Sequence, residues 1–418
     1  MIMARDNNTL YRLSLDRILG THLNKTWDQP STAESEAEDE WFHERWEQLN
    51  EKNRRRLWGL SADLHSLRDK EKTVPGDPIP RNELAAAMEL AYRRKEWDRL
   101  LELLRHPSRF TPRAMVDYLR GRAWMEMGEP SIALLFFDNA SRLEPSNLAY
   151  QSLALECLKE IPDWPQALMR AENFRQAADT APRLLFRAGD IFLLCGLQTE
   201  EEKYFRISLE VVSRGLQQLN LGLAEETLQS VIAGAHATKA LALEHLGNHV
   251  EALASMDEGV AQYPNNDTLL TLRGLLKQQL QQADARDDFV AAIKHGTKLD
   301  WPYLELARME LKGGDYQSVL ELCRQGLALT VNYQIASQFY QFMGIAQFEL
   351  GEDETAVQSS FAASYERNPL SGEIEHNQSL IKAVRTTGQS QGSWQIPRST
   401  PLLAMNEIRQ QQQVTVSL

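Results

Sequence analysis

Residues Tyr118–Pro145 read YLRGRAWMEMGEPSIALLFFDNASRLEP, and the order of small and aromatic residues in this stretch decides the fold. Gly121 and Ala133 are small enough to let two antiparallel helices approach closely. Trp124 and Phe137 are large enough to fill the space between them, with Ala140 completing the contact. Gly128 suits a left-handed residue that ends the first helix, and Pro145 stops the second. A pair of short helices with one apolar face cannot bury that face alone, so similar units are expected on both sides.

They are found at a fixed spacing. Opening positions at Ala114, Leu148 and Pro182 repeat every 34 residues, the period of a helix–turn–helix repeat. Residues 148–181 keep only Ala154, Leu155, Leu158, Ala167 and Ala171. The next unit has Gly189, Phe192, Gly196 and Phe205, with Glu201 where a small residue is expected. From about Ala233 the pattern returns with Ala240, Leu243, Gly247, Ala252, Met256 and Pro264. Further units open near Asp267 and Asp300, and a last strong one carries Gly344, Phe348, Gly351, Ala356, Phe361 and Pro369. In residues and period the chain resembles the tetratricopeptide (TPR) repeat family over residues 81–372. That resemblance implies an all-α, right-handed superhelical solenoid of about seven helix pairs.

The flanks read differently. Residues 1–80 begin with an amphipathic segment, Leu10 to Leu19, then a polar linker over 21–40. A strongly helical stretch follows with Phe42, Trp46, Leu49, Leu57, Leu60, Leu64 and Leu67 near one face. Two readings stand for it: a helix capping the first repeat, or a helix that docks into a partner. Val74–Pro80 (VPGDPIP) breaks the chain. Residues 216–232 are an insertion in the array, read as extended helices or one extra helix, either a passive spacer or a contact surface. Residues 373–385 form a last capping helix with Ile374, Leu380, Ile381 and Val384 on one side. Residues 386–418 are expected to be a flexible polar tail. Trp394 is its odd residue, either pinning the tail to the body or anchoring a partner.

Composition narrows the function. The 418 residues are 43% hydrophobic and 25% charged, with a net charge of −13. An acidic chain is a poor binder of nucleic acid or anionic membrane, and no apolar run reaches the roughly 20 residues of a membrane span. Cys157, Cys195 and Cys323 lie far apart, without metal-ligand spacing, and read as buried small hydrophobes in a reducing compartment. With no apolar leader at Met1, the expected location is cytoplasmic. Phosphate-binding loops and HExxH are absent. The expectation is a chain that is not an enzyme, with no catalytic residues, no metal and no cofactor.

Candidate binding residues follow from the resemblance, which implies that the first helix of each pair lines a concave groove. One neighbourhood is Tyr118, Arg122, Arg183, Phe186 and Arg187, where guanidinium groups could hold a carboxylate of a partner peptide. The competing reading pairs these arginines with Glu126, Glu156 and Asp190. The second neighbourhood is Trp301, Leu304, Arg308 and Phe342, suited to an apolar anchor. Phe348 reads as core. Lysine and asparagine needed by TPR domains that clamp acidic chaperone tails are not at the matching places, so that activity is not expected. The overall expectation is a scaffold or adaptor binding a protein partner, with the partner and the oligomeric state left open. A non-catalytic regulatory or assembly subunit, and a TPR-linked transferase, are the alternatives.

Overall fold

The computed structural model describes residues 7–23, 40–68, 80–106, 111–161, 163–177, 180–219, 226–387, 392–397, 404–405 and 408. The linker over 24–39, most of the break at 74–80, positions 220–225 of the insertion and the glutamine run fall outside them. Among the described residues every regular element is a helix. In chain order these are α1 (Asn7–Leu23), α2 (residues 40–46), α3 (Glu51–Arg68), α4 (Arg81–Arg93), α5 (Trp97–Leu104), α6 (Arg113–Glu126), α7 (Pro130–Leu143) and α8 (Leu148–Glu160). Then come α9 (Trp164–Gln176), α10 (Pro182–Thr199), α11 (Glu202–Gln218), α12 (Glu226–His245), α13 (His249–Gln262) and α14 (Asp267–Gln279). The last are α15 (Ala285–Lys294), α16 (Trp301–Gly313), α17 (Tyr316–Leu327), α18 (Tyr333–Glu349), α19 (Glu354–Arg367) and α20 (Gly372–Thr387). Among the described residues α4 to α19 form eight pairs, the first of them, α4 and α5, within residues 81–107. The chain divides within α9 into two compact units, Met1–Ala167 and Leu168–Val416.

Several pairs close on a glycine set under a phenylalanine ring. A Cβ placed on Gly121 of α6 would stand 2.7 Å from the Phe137 ring of α7. Gly274 against Phe289 (2.7 Å) and Gly344 against Phe361 (2.6 Å) repeat the arrangement in α14/α15 and α18/α19. In α10 the ring contact has moved along the helix to Gly196, 2.8 Å from Phe205. α10 therefore runs on through Gly196 to Thr199, and Glu200 takes the left-handed position at φ +57°. The turns of four other pairs place Gly128, Gly247, Gly314 and Gly351 at φ between +71° and +82°. Lys95 and Gln281 fill the same role at φ +56° and +57° without being glycine. Helix starts are capped by side chains: Asn147, Asn266 and Asn332 before α8, α14 and α18, and Asp315 and Asp353 before α17 and α19. The insertion at 216–232 contains the end of α11 and the start of α12, with Ile232 buried beside Phe186, Val212 and Ala235.

In the N-terminal unit, the apolar stripe of α3 is buried through Leu57, Leu60 and Leu64. Asp63 lies on the same side, wholly buried, and receives two bonds from Arg105, Nε at 3.0 Å and Nη2 at 2.6 Å. A second guanidinium, Arg120 of α6, stands 3.0 Å from Asp63 and 3.2 Å from Asp117. It also donates to Ser66 Oγ at 3.0 Å. Asn139 of α7 donates to the other Asp117 oxygen at 2.6 Å. Burial raises the Asp117 carboxyl above the usual range, against the lowering pull of Arg120 and Asn139. Two carboxylates and two guanidiniums thus neutralise one another in a nearly dry site that links α3, the end of α5, α6 and α7. Such a cluster contributes orientation more than net stability.

Candidate protein-interaction groove

In the C-terminal unit α16 and α18 are the first helices of successive pairs, and α20 follows the last pair. Each contributes a buried polar side chain to one place. On α16 this is Arg308, only 3% exposed. It faces Glu305 Oε1 of its own helix at 3.4 Å, donates to Gln338 Oε1 of α18 at 3.0 Å, and lies 5.6 Å from the centre of the Phe342 ring. Burial lowers its pKa from the ordinary guanidinium value, with Glu305 pulling the other way. Gln341 on α18 and Asn377 on α20 are likewise buried.

All three are turned toward one segment of the chain, residues 392–397. Asn377 Nδ2 donates to the Gln395 carbonyl at 2.8 Å, while the Gln395 N–H donates to Asn377 Oδ1 at 2.8 Å. Gln341 reaches the same carbonyl at 3.5 Å, and Arg308 Nη1 donates to the carbonyl of Pro397. With His376 Nε2 at 3.2 Å from the Ser393 carbonyl, four side chains thus hold main-chain groups, and Gln395 itself is exposed. The flanking side chains pack instead. Trp394 meets the Phe348 ring edge-on at 5.7 Å and donates its indole N–H to Glu349 Oε1 at 2.7 Å. Ile396 packs on the same apolar core, in which Ala404, Met405 and Ile408 are completely buried. Residues 392–397, which composition alone assigns to a flexible tail, therefore occupy a built site.

The residues singled out in the sequence are distributed as follows. Trp301, Leu304, Arg308 and Phe342 lie in or against one buried cluster of the C-terminal unit; Leu304 and Phe342 expose no surface. Phe186 is also buried, on α10 with Arg183 and Arg187. Arg187 faces Asp190 at 3.7 Å, and Arg183 is half-buried. In the N-terminal unit Arg122 is bonded to Glu126 at 3.1 Å. Tyr118 leans on Tyr150, 5.4 Å between ring centres, and burial pushes its hydroxyl up to about 12. All three cysteines are buried, and burial raises each thiol above its ordinary pKa, which disfavours thiolate chemistry. Asn377 was not singled out in the sequence. Its signal is a polar residue midway between Ile374 and Leu380 on the apolar face of α20, a place that demands a hydrogen-bonding partner.

No protein-family model matches this sequence, and no curated protein does. Solved structures give low-scoring likenesses. The first is the crystal structure of the APC/C hetero-tetramer Cut9–Hcn1, at 15% identity and a TM-score of 0.44, covering 90% of this chain and 66% of that one. The C-terminal part of a TPR repeat-containing protein from Cytophaga hutchinsonii aligns at 10% identity and a TM-score of 0.36, over 69% of this chain and 97% of that one. Naa15/Naa10 bound to HypK-THB aligns at 12% identity and a TM-score of 0.34, over 97% of this chain and 63% of that one. The chain thus spans just under two thirds of the first and third. No helix among the described residues is long and apolar enough to cross a membrane. With its glycine–phenylalanine contacts and left-handed turn residues recurring from pair to pair, the chain has an all-α fold of repeated helix pairs, TPR-like in its packing.

Proposed function

We propose that this protein is a non-catalytic interaction scaffold whose groove across α16, α18 and α20 holds a non-helical segment of a protein partner. One observation carries the reading: the paired bonds between Asn377 and the backbone of Gln395. A side-chain amide that bonds both the N–H and the C=O of one residue recognises main chain, not a particular side chain. The same contacts are open to any segment that can lie in the groove. Main-chain bonds supply affinity in this mode, and the flanking apolar positions supply choice. Trp301, Leu304 and Phe342 enter the reading as the packed floor and Arg308 as a polar contact. Tyr118, Arg122, Arg183 and Arg187 are secondary candidates, since Arg122 and Arg187 already face carboxylates of their own helices.

The test is selection of displayed random peptides on the full chain and on the Asn377→Ala variant. Peptides that bind the native chain and lose at least tenfold in affinity on the variant support the reading. Peptides that bind both alike place the interaction elsewhere, and a chain that selects none has no such groove.

A further inference from the structure

We propose that residues 392–397 are an intramolecular ligand, which keeps the groove filled until a partner segment with the same alternation displaces it. The inference rests on the groove reading above and adds the identity of the resident and the chemistry of its competitor. Three features mark a ligand rather than ordinary packing. First, the protein side of the contact is prepared: Asn377, Gln341 and Arg308 are buried polar groups that turn toward the segment's main chain, and Asn377 would lose both its bonds to Gln395 if the segment left. Second, the segment is read in alternation. Trp394 and Ile396 pack, the residue between them presents its backbone, and its side chain faces outward. That period of two is the period of an extended chain. Third, the bonds that hold it are made to main-chain atoms and to one indole N–H, groups that a segment of another protein carries equally well.

The partner class follows. It is a non-helical segment with an indole or comparable N–H donor on an aromatic ring to meet Phe348 and Glu349. One variable residue comes next, with a free backbone N–H, so proline is excluded there. An aliphatic side chain follows two positions after the aromatic. A net negative charge is not required, because the buried Arg308 is already balanced by Glu305.

Attachment in cis sets the size of the effect. A short tether after α20 gives an effective concentration of about 1 mM; for a segment with a trans Kd of about 10 μM, it lowers the groove's apparent affinity for an outside peptide roughly 100-fold. The experiment uses the full chain and, as probe, a labelled synthetic peptide of residues 390–400, SQGSWQIPRST. In the chain carrying Trp394→Ala and Gln395→Pro the resident loses its aromatic contact and the N–H donated to Asn377. The peptide is expected to bind this opened chain roughly 100-fold more tightly than the native chain. Adding Asn377→Ala should abolish that gain. Trp394→Ala alone keeps the Gln395 bonds and should give an intermediate affinity, which preserves the test if the double substitution disturbs folding. Equal affinity for native and opened chains overturns the inference, as does failure of the peptide to bind an opened chain whose helical content and melting are native. If displayed peptides still bind through Asn377 while the tail peptide does not, the resident-ligand inference fails and the groove stands. If neither binds, both fail.

Discussion

Arg120 and Arg308 are both buried guanidiniums on the first helix of a pair, 1% and 3% exposed, and they serve opposite ends. Arg120 is held by side chains: Asp63 and Asp117 at 3.0 and 3.2 Å, with Asn139 and Arg105 completing the set. Its partners come from helices that the fold places around it, and no polar group of another molecule could substitute for two buried carboxylates. Arg308 has one carboxylate neighbour, Glu305, and spends a donor on the main-chain carbonyl of Pro397. The first arrangement is closed, and the second can exchange its acceptor. What separates a structural polar cluster from a binding one is therefore whether its partners are side chains of the packed body or the backbone of a segment laid upon it.

The most damaging way to probe the closed cluster is Asp63→Ala, which leaves Arg105 and Arg120 buried beside one remaining carboxylate. Removing one partner from a buried ionic set costs about 3–5 kcal/mol. We expect amide exchange and proteolysis to rise sharply in α3, α6 and α7, while peptides from α14 to α19 keep native protection. Unchanged protection around α3 would show that the cluster is dispensable.

Next in size are the glycines under the phenylalanine rings. Gly121→Ala in the N-terminal unit and Gly344→Ala in the C-terminal unit each push a methyl to 2.7 and 2.6 Å from a ring atom of the facing helix. Overpacking of this kind costs about 1–3 kcal/mol. Denaturant melts that track each unit separately should show comparable losses, since the contact is the same in both. A large loss in one and none in the other would mean that the rings yield unequally, and the shared geometry would not measure a shared energy.

These two predictions also mark what could be read without the structure. Gly121 and Phe137 are legible because a packing contact that recurs every repeat leaves the same residue types at the same spacing. The left-handed turns at Gly128 and Gly247 are legible for the same reason. The Asp63–Arg105 pair is not, because nothing in an aspartate on α3 and an arginine 42 positions later signals that they meet. The occupant of the groove is illegible in another way. Residues 392–397 lie in a Gly-, Ser- and Gln-rich stretch, so they read as tail; the surface of α16, α18 and α20 holds them, and that surface exists only once the repeats have stacked. Asn377 was the available clue, a polar residue on an otherwise apolar stripe.

On the open side of the comparison, Asn377→Ala removes both bonds to Gln395 and little else. At about 1 kcal/mol net for each bond, attachment of the segment should weaken by about 2 kcal/mol. The expected readout is faster exchange at the Gln395 amide and faster cleavage of the tail by a non-specific protease, with the melting of the repeats nearly unchanged. A fall in melting equal to that of the glycine variants would reclassify Asn377 as structural, and the contrast with Arg120 would collapse.

The smallest effect tests the turn geometry that both units share. Lys95, Glu200 and Gln281 hold φ of +56° to +57°, where four other pairs place glycine. A side chain in the left-handed region costs about 1–2 kcal/mol, and glycine gives back about 0.5–1 kcal/mol in chain entropy. Gln281→Gly and Lys95→Gly should therefore each stabilise by about 0.5–1 kcal/mol. Glu200→Gly should do the same only if Glu200 has no role beyond ending α10. The reverse change, Gly128→Gln, moves a position at φ +79° in the opposite direction and should lower the melting temperature. If the three glycine substitutions destabilise instead, their side chains are held by contacts that outweigh the backbone cost. The three turns would then be departures maintained by their surroundings, not degraded copies of Gly128.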